Sequence, residues 1–257
     1  MRGMRESLAR ERAELIPLHP TGMNRIGTAG WSLPAKPKEV GTHLYHYART
    51  LNCAEINSTF YRPHRASTWA KWAAETPDHF RFSIKAPKTI THEAKLRNAE
   101  TLLHDFFDQI KPVHHKQGPI LFQLPPSLAF DAALADAFFV THRSVYKGET
   151  ALEPRHATWF TDEADALLQQ YAIARVAADP AKTSPKAGIP GGDLALRYFR
   201  LHGSPRIYYS NYEPGFLSGL AEKIKSHKNS WVIFDNTTLS HAYANAMELE
   251  RCLVTQF

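Results

Sequence analysis

Eight short apolar segments recur along the chain, and a stretch with helical periodicity follows nearly every one of them. The apolar segments span residues 25–30, 53–57, 80–85, 120–124, 151–153, 174–178, 198–202 and 231–235. The helical stretches span residues 40–51, 66–75, 101–114, 131–141, 162–171, 215–225 and 241–253. A spacing of about 29 residues matches the βα unit of a closed eight-stranded barrel. We therefore predict one α/β domain, a single TIM-type (β/α)8 barrel over residues 25–257.

An open, doubly wound sheet is the alternative α/β architecture. Such sheets usually have fewer strands, and they carry a glycine-rich loop that binds phosphate groups. The sequence contains neither a G-x-G-x-x-G motif nor a Walker-type phosphate loop. The barrel is therefore favoured.

The composition is that of a folded domain with an excess of basic residues. Hydrophobic residues make up 43% of the 257 residues, enough to build a core, which excludes a largely disordered chain. No apolar run approaches the roughly 18 residues of a membrane span, so we predict no membrane association. The net charge of +6 is compatible with an anionic partner.

The cysteines and the amino-terminal residues indicate a cytoplasmic protein. Two cysteines, Cys53 and Cys252, are too few for a disulfide framework or a cysteine-rich zinc site. Cys53 lies in an apolar segment and is predicted to be a small core residue. Residues 1–24 mix arginine with glutamate and lack the apolar stretch of a secretory signal. We predict that they form a helical or loose extension outside the barrel.

Polar residues occupy the positions that should face the inside of the barrel. Side chains alternate across a strand, so the apolar residues of each segment, such as Phe82 and Ile84, assign the face that contacts the helices. The other face then points into the lumen, and Asp235 or Asn236 adds one more group to it. The predicted inward residues are Glu55, Asn57, Arg81, Ser83, Lys85, Gln123, Glu153, Arg155, Arg200 and His202.

Two interpretations account for so many polar groups in one lumen. Barrel interiors are usually filled by Val, Ile and Leu, and an isolated buried charge is costly. The groups can form an internal salt-bridge network, for instance Glu153 with Arg155 or Arg200. They can instead form a ligand site, since barrel enzymes place theirs at the carboxyl ends of the strands. We favour the ligand site because the polar groups gather at that end.

The charges at this end predict the kind of ligand. Glu55 and Glu153 are outnumbered by Lys85, Arg155 and Arg200. The planar fork of arginine suits phosphate and carboxylate groups. We therefore predict a small anionic ligand bearing phosphate or carboxylate.

Glu153 and His202 are the predicted proton carriers. The reference pKa of histidine lies near neutrality, and a lumen-facing glutamate is a candidate acid or base. Glu55 and Glu153 also resemble the carboxylate pair of a glycosidase, but Glu55 lies deeper and is predicted to be a structural partner of Arg81 or Lys85.

Lys85 has two interpretations. It can form a Schiff base if burial and nearby cations lower its pKa, or it can pair with Glu55 or contact an anion, which we favour. A metal bound to Glu55, Glu153, His202 and Asp235 would be repelled by the cations at the same place, so we predict neither a metal nor an organic cofactor. Ser58 and Thr59 are predicted to make hydrogen bonds in a turn.

Two loops could complete the site. Residues 180–193 are rich in proline and glycine and are either a lid or a surface excursion. Tyr208, Tyr209 and Tyr212 follow the seventh strand beside Arg206, where they either stack on a base or sugar or cover the barrel rim.

The order of short motifs along the chain resembles the YecE-like family, a domain of unknown function (DUF72). The resemblance runs from about residue 26 to about residue 253 and includes Trp159 and these motifs: Ile26-Gly27-Thr28-Ala29-Gly30-Trp31, Glu55-Ile56-Asn57-Ser58-Thr59-Phe60-Tyr61, Lys85-Ala86-Pro87, Thr91-His92, Phe122-Gln123-Leu124-Pro125-Pro126, Glu153-Pro154-Arg155-His156, Arg200-Leu201-His202-Gly203 and Phe234-Asp235-Asn236.

The resemblance implies a TIM-type barrel and no established activity. Its matching positions coincide with most of the inward set, and they add Tyr61 and Asn236 to the residues predicted to bind substrate. The chain departs from the family at Asp235, where asparagine is frequent, and at Ala29, where serine is usual. An inward Asp235 would weaken the argument for an anionic ligand.

These observations predict a barrel enzyme of hydrolase or lyase type that acts on a small anionic substrate by general acid–base chemistry. Glu153, His202 and Lys85 form the predicted catalytic set. The predicted substrate-binding residues are Glu55, Asn57, Tyr61, Gln123, Arg155, Arg200, Asp235 and Asn236. A protein that binds or processes nucleic acid and a ligand sensor without catalysis are the alternatives.

Overall fold

A computed structural model describes residues 23–254 of the chain, except residues 36, 38 and 39. The predicted amino-terminal extension lies outside the described residues as far as residue 22. The strands are β1 Arg25–Ala29, β2 Cys53–Ile56, β3 Arg81–Lys85, β4 Gln117–Gln123, β5 Thr150–Glu153, β6 Ile173–Arg175, β7 Ala177–Asp179, β8 Gly191–Gly192, β9 Arg197–Leu201 and β10 Ser230–Phe234. Each of the eight predicted strand segments overlaps one of them, and the predicted segment 174–178 is divided between β6 and β7.

The sheet closes on itself through this divided strand. The strand order is β7-β9-β10-β1-β2-β3-β4-β5-β6-β8. β6 pairs in parallel with β5, whereas β7, one residue further along the chain, pairs in parallel with β9. Because β6 and β7 form one continuous stretch, the two ends of the sheet meet at Val176. The predicted TIM-type α/β barrel is confirmed.

Each of the seven predicted helical stretches overlaps a helix on the outside of the barrel. These helices are α1 His43–Tyr47, α2 Ala66–Ala74, α3 Glu100–Ile110, α4 Ala132–Val145, α5 Asp162–Gln170, α6 Pro214–Lys225 and α7 His241–Val254. After β7 the chain forms only the 3-10 turn Pro185–Gly188 before β8, which pairs antiparallel with β6. No helix of the described residues is long and apolar enough to cross a membrane.

The segment between β7 and β9 is attached to the outside of the barrel. Arg175 is buried, pairs with Asp165 at 2.7 Å, and donates hydrogen bonds to the carbonyl oxygens of Lys186 at 2.8 Å and Ile189 at 3.2 Å. The geometry therefore favours the surface excursion over the lid.

The alternation of side chains along the strands divides the core into two parts. Phe82, Ile84 and Phe122 pack outward, in the cluster of buried apolar residues that includes those of the helices. The lumen holds a smaller apolar cluster that includes Cys53, Leu121, Tyr198, Trp231 and Ile233. Cys53 is fully buried, and burial raises the pKa of its thiol. The predicted core role of Cys53 is thus confirmed.

Gly27 offers a test of close packing inside the lumen. A Cβ atom there would lie 2.1 Å from the carbonyl oxygen of Cys53, a backbone atom of the neighbouring strand that cannot rotate away. We expect Gly27→Ala to lower the free energy of unfolding by about 3 kcal/mol, measured by urea denaturation. The control is Gly219→Ala on α6, where no atom lies within 4 Å and alanine should stabilise the helix by about 0.5–1 kcal/mol. Equal unfolding midpoints for the two variants would contradict the packing argument.

Candidate functional site

Arg200, near the end of β9, lies at the centre of a buried charge cluster. Its guanidinium contacts Glu55 through Nη2–Oε1 at 2.7 Å and Nε–Oε2 at 3.1 Å. Nη1 lies 2.6 Å from Glu153 Oε2, and Nη2 lies 3.1 Å from Asp235 Oδ2. Arg200 and the two glutamates are at most 1% exposed. One guanidinium thus joins carboxylates from β2, from β5 and from the residue that follows β10.

The partner of Glu55 differs from the prediction. Glu55 was predicted to pair with Arg81 or Lys85, but it pairs with Arg200 and accepts a hydrogen bond from Tyr198 Oη at 2.8 Å. Arg81 is the first residue of β3, so it lies at the amino-terminal end and donates to backbone carbonyl oxygens, including that of Phe80. The predicted pairing of Glu55 is therefore wrong, and Glu55 is a structural partner of Arg200.

Glu153 accepts hydrogen bonds or ion pairs from four side chains. Besides Arg200, these are Gln123 at 2.8 Å, Arg155 Nη2 at 2.7 Å and His202 Nε2 at 3.0 Å. Burial alone would raise the pKa of Glu153, but Arg200, Arg155 and His202 outweigh burial and hold that pKa well below its usual value. The carboxylate is therefore ionised at neutral pH. This geometry supports an anchoring role for Glu153 more than its predicted role as a proton carrier.

His202 lies between two carboxylates. Its Nε2 is 3.0 Å from Glu153, and its Nδ1 is 3.0 Å from Asp235. Burial lowers the pKa of His202, but the two carboxylates together raise it by more than burial lowers it, so the net shift is upward. An imidazole that faces an acceptor at each nitrogen is best satisfied as the doubly protonated cation. The geometry therefore supports His202 as a proton donor.

Strand alternation left open whether Asp235 or Asn236 faces the lumen, and the structure shows that Asp235 does. Arg200 and His202 together lower the pKa of Asp235 against the effect of burial. Asn236 is fully buried and turns away, donating to the carbonyl oxygen of Ser210 and to Asn245 Oδ1, each at 2.9 Å. Asn236 therefore lies outside the charge cluster, and the geometry assigns it to packing between the loop after β9 and α7.

Lys85 and Arg155 form the cationic rim of the lumen, above Arg200. Arg155 remains 28% exposed while it contacts Glu153. Lys85 is 7% exposed, and its Nζ lies 4.2 Å from the centre of the Phe60 ring. Burial and the neighbouring Arg200 lower the pKa of Lys85 to about 8. Among the described residues, Lys85 Nζ makes no hydrogen bond or ion pair.

One cation of this cluster, Lys85, has no carboxylate partner among the described residues. The carboxylates of Glu55, Glu153 and Asp235 face Arg200, the protonated His202 and Arg155. Lys85 is the additional cation, and its ammonium faces an aromatic ring rather than a carboxylate. The inward Asp235 therefore cancels the predicted surplus of one positive charge, and the protonated form of His202 restores it.

A short turn after β2 positions Phe60 over Lys85. The Thr59 hydroxyl lies 2.6 Å from the carbonyl oxygen of Lys85 and 3.0 Å from that of Ile56. These contacts connect the turn to the end of β3 and place the next residue, Phe60, against the ammonium. The hydrogen bonds predicted for Thr59 are present, and Ser58 Oγ lies 2.7 Å from His64 Nε2.

His92 is a candidate site residue that strand alternation could not identify. It lies in the π-helical turn Thr89–Glu93 after β3, and its ring packs edge-on against Phe60 at 4.9 Å between ring centres. Burial, and then the charges of Lys85 and Arg155, lower the pKa of His92. The Thr91-His92 motif of the family resemblance was the one signal in the sequence that could have identified it.

The remaining predicted residues lie at the margin. Tyr61 is 72% exposed and packs its edge against Phe60, whereas Tyr208 is 42% exposed beside His202. Asn57 follows β2, and its buried Oδ1 has no hydrogen-bond partner among the described residues. Tyr212 is buried and bonds to Gly203 and Asp179, so it packs beneath the rim.

The four residues weighed as metal ligands surround Arg200 instead. Glu55, Glu153 and Asp235 each contact its guanidinium, and both ring nitrogens of His202 face carboxylates. In the part of the chain that the structure describes, no group of three or more His, Cys, Asp or Glu side chains is placed to hold a metal ion.

The chain matches a family described as "Protein of unknown function DUF72" over residues 25–257. UPF0759 protein YecE of Escherichia coli K12 is 37% identical over 100 residues, which cover 39% of this chain and 37% of that protein. UPF0759 protein YunF of Bacillus subtilis is 28% identical over 148 residues, 53% of this chain and 52% of that protein. The matches thus span about a third to a half of these relatives.

A solved structure shows the same fold. The DUF72 family protein of Thermotoga maritima has a TM-score of 0.76 and 24% identity, covering 90% of this chain and 99% of that chain. At this identity the similarity establishes the barrel fold alone.

Removal of the central guanidinium tests the charge cluster. We expect Arg200→Met to lower the free energy of unfolding by about 3–5 kcal/mol, because it leaves three carboxylates without their shared cation. The control Lys71→Met removes an exposed ion pair to Glu75 with an N–O distance of 3.8 Å and should cost at most about 0.5 kcal/mol. Urea denaturation measures both values, and similar losses in the two variants would contradict the central role of Arg200.

The raised pKa of His202 predicts a pH-dependent contribution to stability. Its folded-state pKa lies above the value of about 6.5 in the unfolded chain. The contribution is therefore complete below about pH 6.5 and is lost as the pH rises through the folded-state pKa. We expect the difference in free energy of unfolding between the unmodified protein and His202→Gln to be largest near pH 6 and to shrink above it. A difference that stays constant up to about pH 9 would show that His202 is not protonated in the fold.

Proposed function

This chain belongs to the DUF72 family of proteins of unknown function, and we propose that it is an enzyme acting on a small anionic substrate. The substrate carries a phosphate or carboxylate group and binds at the carboxyl ends of the barrel strands. The reaction is general acid–base chemistry of hydrolase or lyase type. This location is the one that barrel enzymes use, because the loops there can vary while the strands hold the site.

The observation that carries this proposal is the cationic rim. Lys85 has no carboxylate partner among the described residues, and the guanidinium of Arg155 is partly exposed at the same end of the lumen. A cation in a partly buried position is stabilised by an anion that replaces its lost water. A phosphate or carboxylate would supply that charge, and Arg155 offers it Nη1, since its Nε and Nη2 contact Glu153.

His202 supplies the acid of the proposed reaction. The two carboxylates raise its pKa and so favour its protonated form, and its Nε2 lies 3.3 Å from Arg155 Nη2. The acid thus lies next to a group that would bind the anion. Glu153 and Asp235 orient the ring and stabilise its charge, as a buried carboxylate does for a catalytic histidine.

Binding of inorganic phosphate tests this proposal. We expect phosphate to raise the melting temperature relative to sodium chloride at equal ionic strength, because a ligand that binds only the folded state stabilises it. Lys85→Met and Arg155→Gln should each weaken phosphate binding about tenfold or more, the value of one charge-assisted hydrogen bond. Isothermal titration calorimetry measures these affinities.

The matched control for phosphate binding is Lys71→Met, which removes a lysine from the exposed surface of α2. It should bind phosphate as the unmodified protein does. Equal stabilisation by chloride and phosphate, or an affinity that the two rim substitutions leave unchanged, would contradict the anion site.

Nucleic acid is the second candidate ligand, and the exposed tyrosines favour it. Tyr61 and Tyr208 flank the cationic rim, and Arg206 lies 3.9 Å from the ring centre of Tyr209. Exposed aromatic rings beside cations can stack on bases. Fluorescence anisotropy with labelled single-stranded oligonucleotides would support this candidate if affinity fell steeply with salt, and absence of binding at low salt would remove it.

Substrate turnover distinguishes an enzyme from a ligand sensor, because a sensor binds its ligand without converting it. A sensor would keep its phosphate site without converting any phosphorylated or carboxylated compound. Loss of conversion in His202→Gln, with phosphate affinity retained, would show that the acid group takes part in chemistry.

A further inference from the structure

We propose that Lys85 is a nucleophile that forms an imine with a carbonyl group of the substrate. The substrate class is then a small anion that also carries an aldehyde or ketone, such as a 2-oxo carboxylate or a phosphorylated aldehyde. This inference rests on the proposed function for the anionic group, but the reactivity of the amine can be tested separately.

The geometry around Lys85 is that of a reactive amine rather than a structural cation. It lies at the carboxyl end of β3, 7% exposed, and its Nζ makes no hydrogen bond or ion pair to another described residue. The other buried cations differ in this respect. Arg200 binds three carboxylates, and Lys116 donates to backbone carbonyl oxygens, including that of Ala73 at 2.8 Å. An amine with no structural partner is free to react.

The surroundings of Lys85 also favour the neutral amine. Burial and the positive charge of Arg200 lower its pKa to about 8 from 10.5. At pH 7 about a tenth of the molecules would then carry the free amine, a few hundred times the fraction of an ordinary lysine. The neutral form is the nucleophile in imine formation.

The ammonium of Lys85 contacts an aromatic ring and none of the carboxylates, although Glu55, Glu153 and Asp235 partly oppose the lowering of its pKa. Phe60 covers the ammonium at 4.2 Å, while Glu55 is held by Arg200 and Tyr198. A carboxylate in contact with Lys85 would raise the pKa of the amine and hold it as a salt bridge. Arg200 therefore prevents such a salt bridge by engaging the carboxylates itself.

We assign His92 as the acceptor of the proton that Lys85 must lose. Both side chains contact the ring of Phe60, and the lowered pKa of His92 keeps it neutral at pH 7. After the proton leaves, the amine nitrogen forms a bond to the carbonyl carbon, and the carbonyl oxygen becomes a hydroxyl. His92 then returns its proton to this hydroxyl, which departs as water while the nitrogen forms the double bond. Overall, an ammonium and a carbonyl give a protonated imine and one water, so the positive charge stays on the nitrogen.

The retained charge explains how one lysine serves both binding and chemistry. The anionic group of the substrate stays next to two positive charges, those of the imine nitrogen and Arg155. An iminium withdraws electrons from the adjacent carbon, which is the chemistry of lyases that break or make bonds next to a carbonyl. His202 lies beside Arg155 and can protonate the carbon or oxygen that gains electrons.

Reductive trapping tests the imine directly in the full-length protein. The probes are glyoxylate and glycolaldehyde phosphate, each with sodium cyanoborohydride at pH 7. Peptide mapping by mass spectrometry then compares modification of Lys85 with that of the exposed Lys71. We expect Lys85 to be modified at least about tenfold faster than Lys71, because the lower pKa exposes more free amine. Lys85→Arg should lose only this modification, and Lys71→Arg is the matched control that should keep it.

Further arms distinguish this inference from the anion site. Inorganic phosphate should slow trapping at Lys85, and propionaldehyde, a carbonyl compound without an anion, should react there less than glyoxylate. If phosphate binds but Lys85 is modified no faster than Lys71, the imine is wrong and the anion site stands. If propionaldehyde reacts as fast as glyoxylate and phosphate neither binds nor protects, the substrate class and the anion site are both wrong, while the reactive amine remains.

Discussion

The guanidinium of Arg200 holds together groups that would otherwise repel one another inside a closed barrel. Three carboxylates approach it from β2, β5 and the end of β10, each within 3.1 Å. Buried carboxylates of this density are unfavourable unless a cation and hydrogen bonds satisfy them. Arg200 meets that condition from a single strand. The interior above the apolar layer therefore depends on this one side chain.

The same interaction explains the character of the rim. Because Arg200 and His202 engage the carboxylates from below, Arg155 needs only Glu153, and Lys85 needs no carboxylate partner at all. The two interpretations of the inward polar residues are therefore not exclusive. An internal salt-bridge network is present around Arg200. Because the carboxylates are paired there, cationic groups remain at the open end of the lumen, where a ligand would bind.

Strand alternation is the part of the site that could be read from the sequence. It placed Glu55, Glu153 and Arg200 in the lumen, because a period of two follows from the strand backbone alone. The predicted pairing of Glu153 with Arg155 or Arg200 is present in the structure. The partner of Glu55 could not be read in this way, since it depends on the stagger between strands that are far apart in the chain. Glu55 reaches Arg200 across the lumen rather than Lys85 on the adjacent strand. Strand alternation could not identify His92 as a site residue, because His92 lies in a π-helical turn.

The turn that follows β2 forms the aromatic side of the environment of Lys85. Thr59 anchors this turn to the carbonyl oxygens of Ile56 and Lys85, and Phe60 covers the ammonium. None of these contacts involves Arg200 or its carboxylates. Substitutions in the three residues Ser58–Phe60 can therefore alter the polarity around the amine while the charge cluster beneath stays intact.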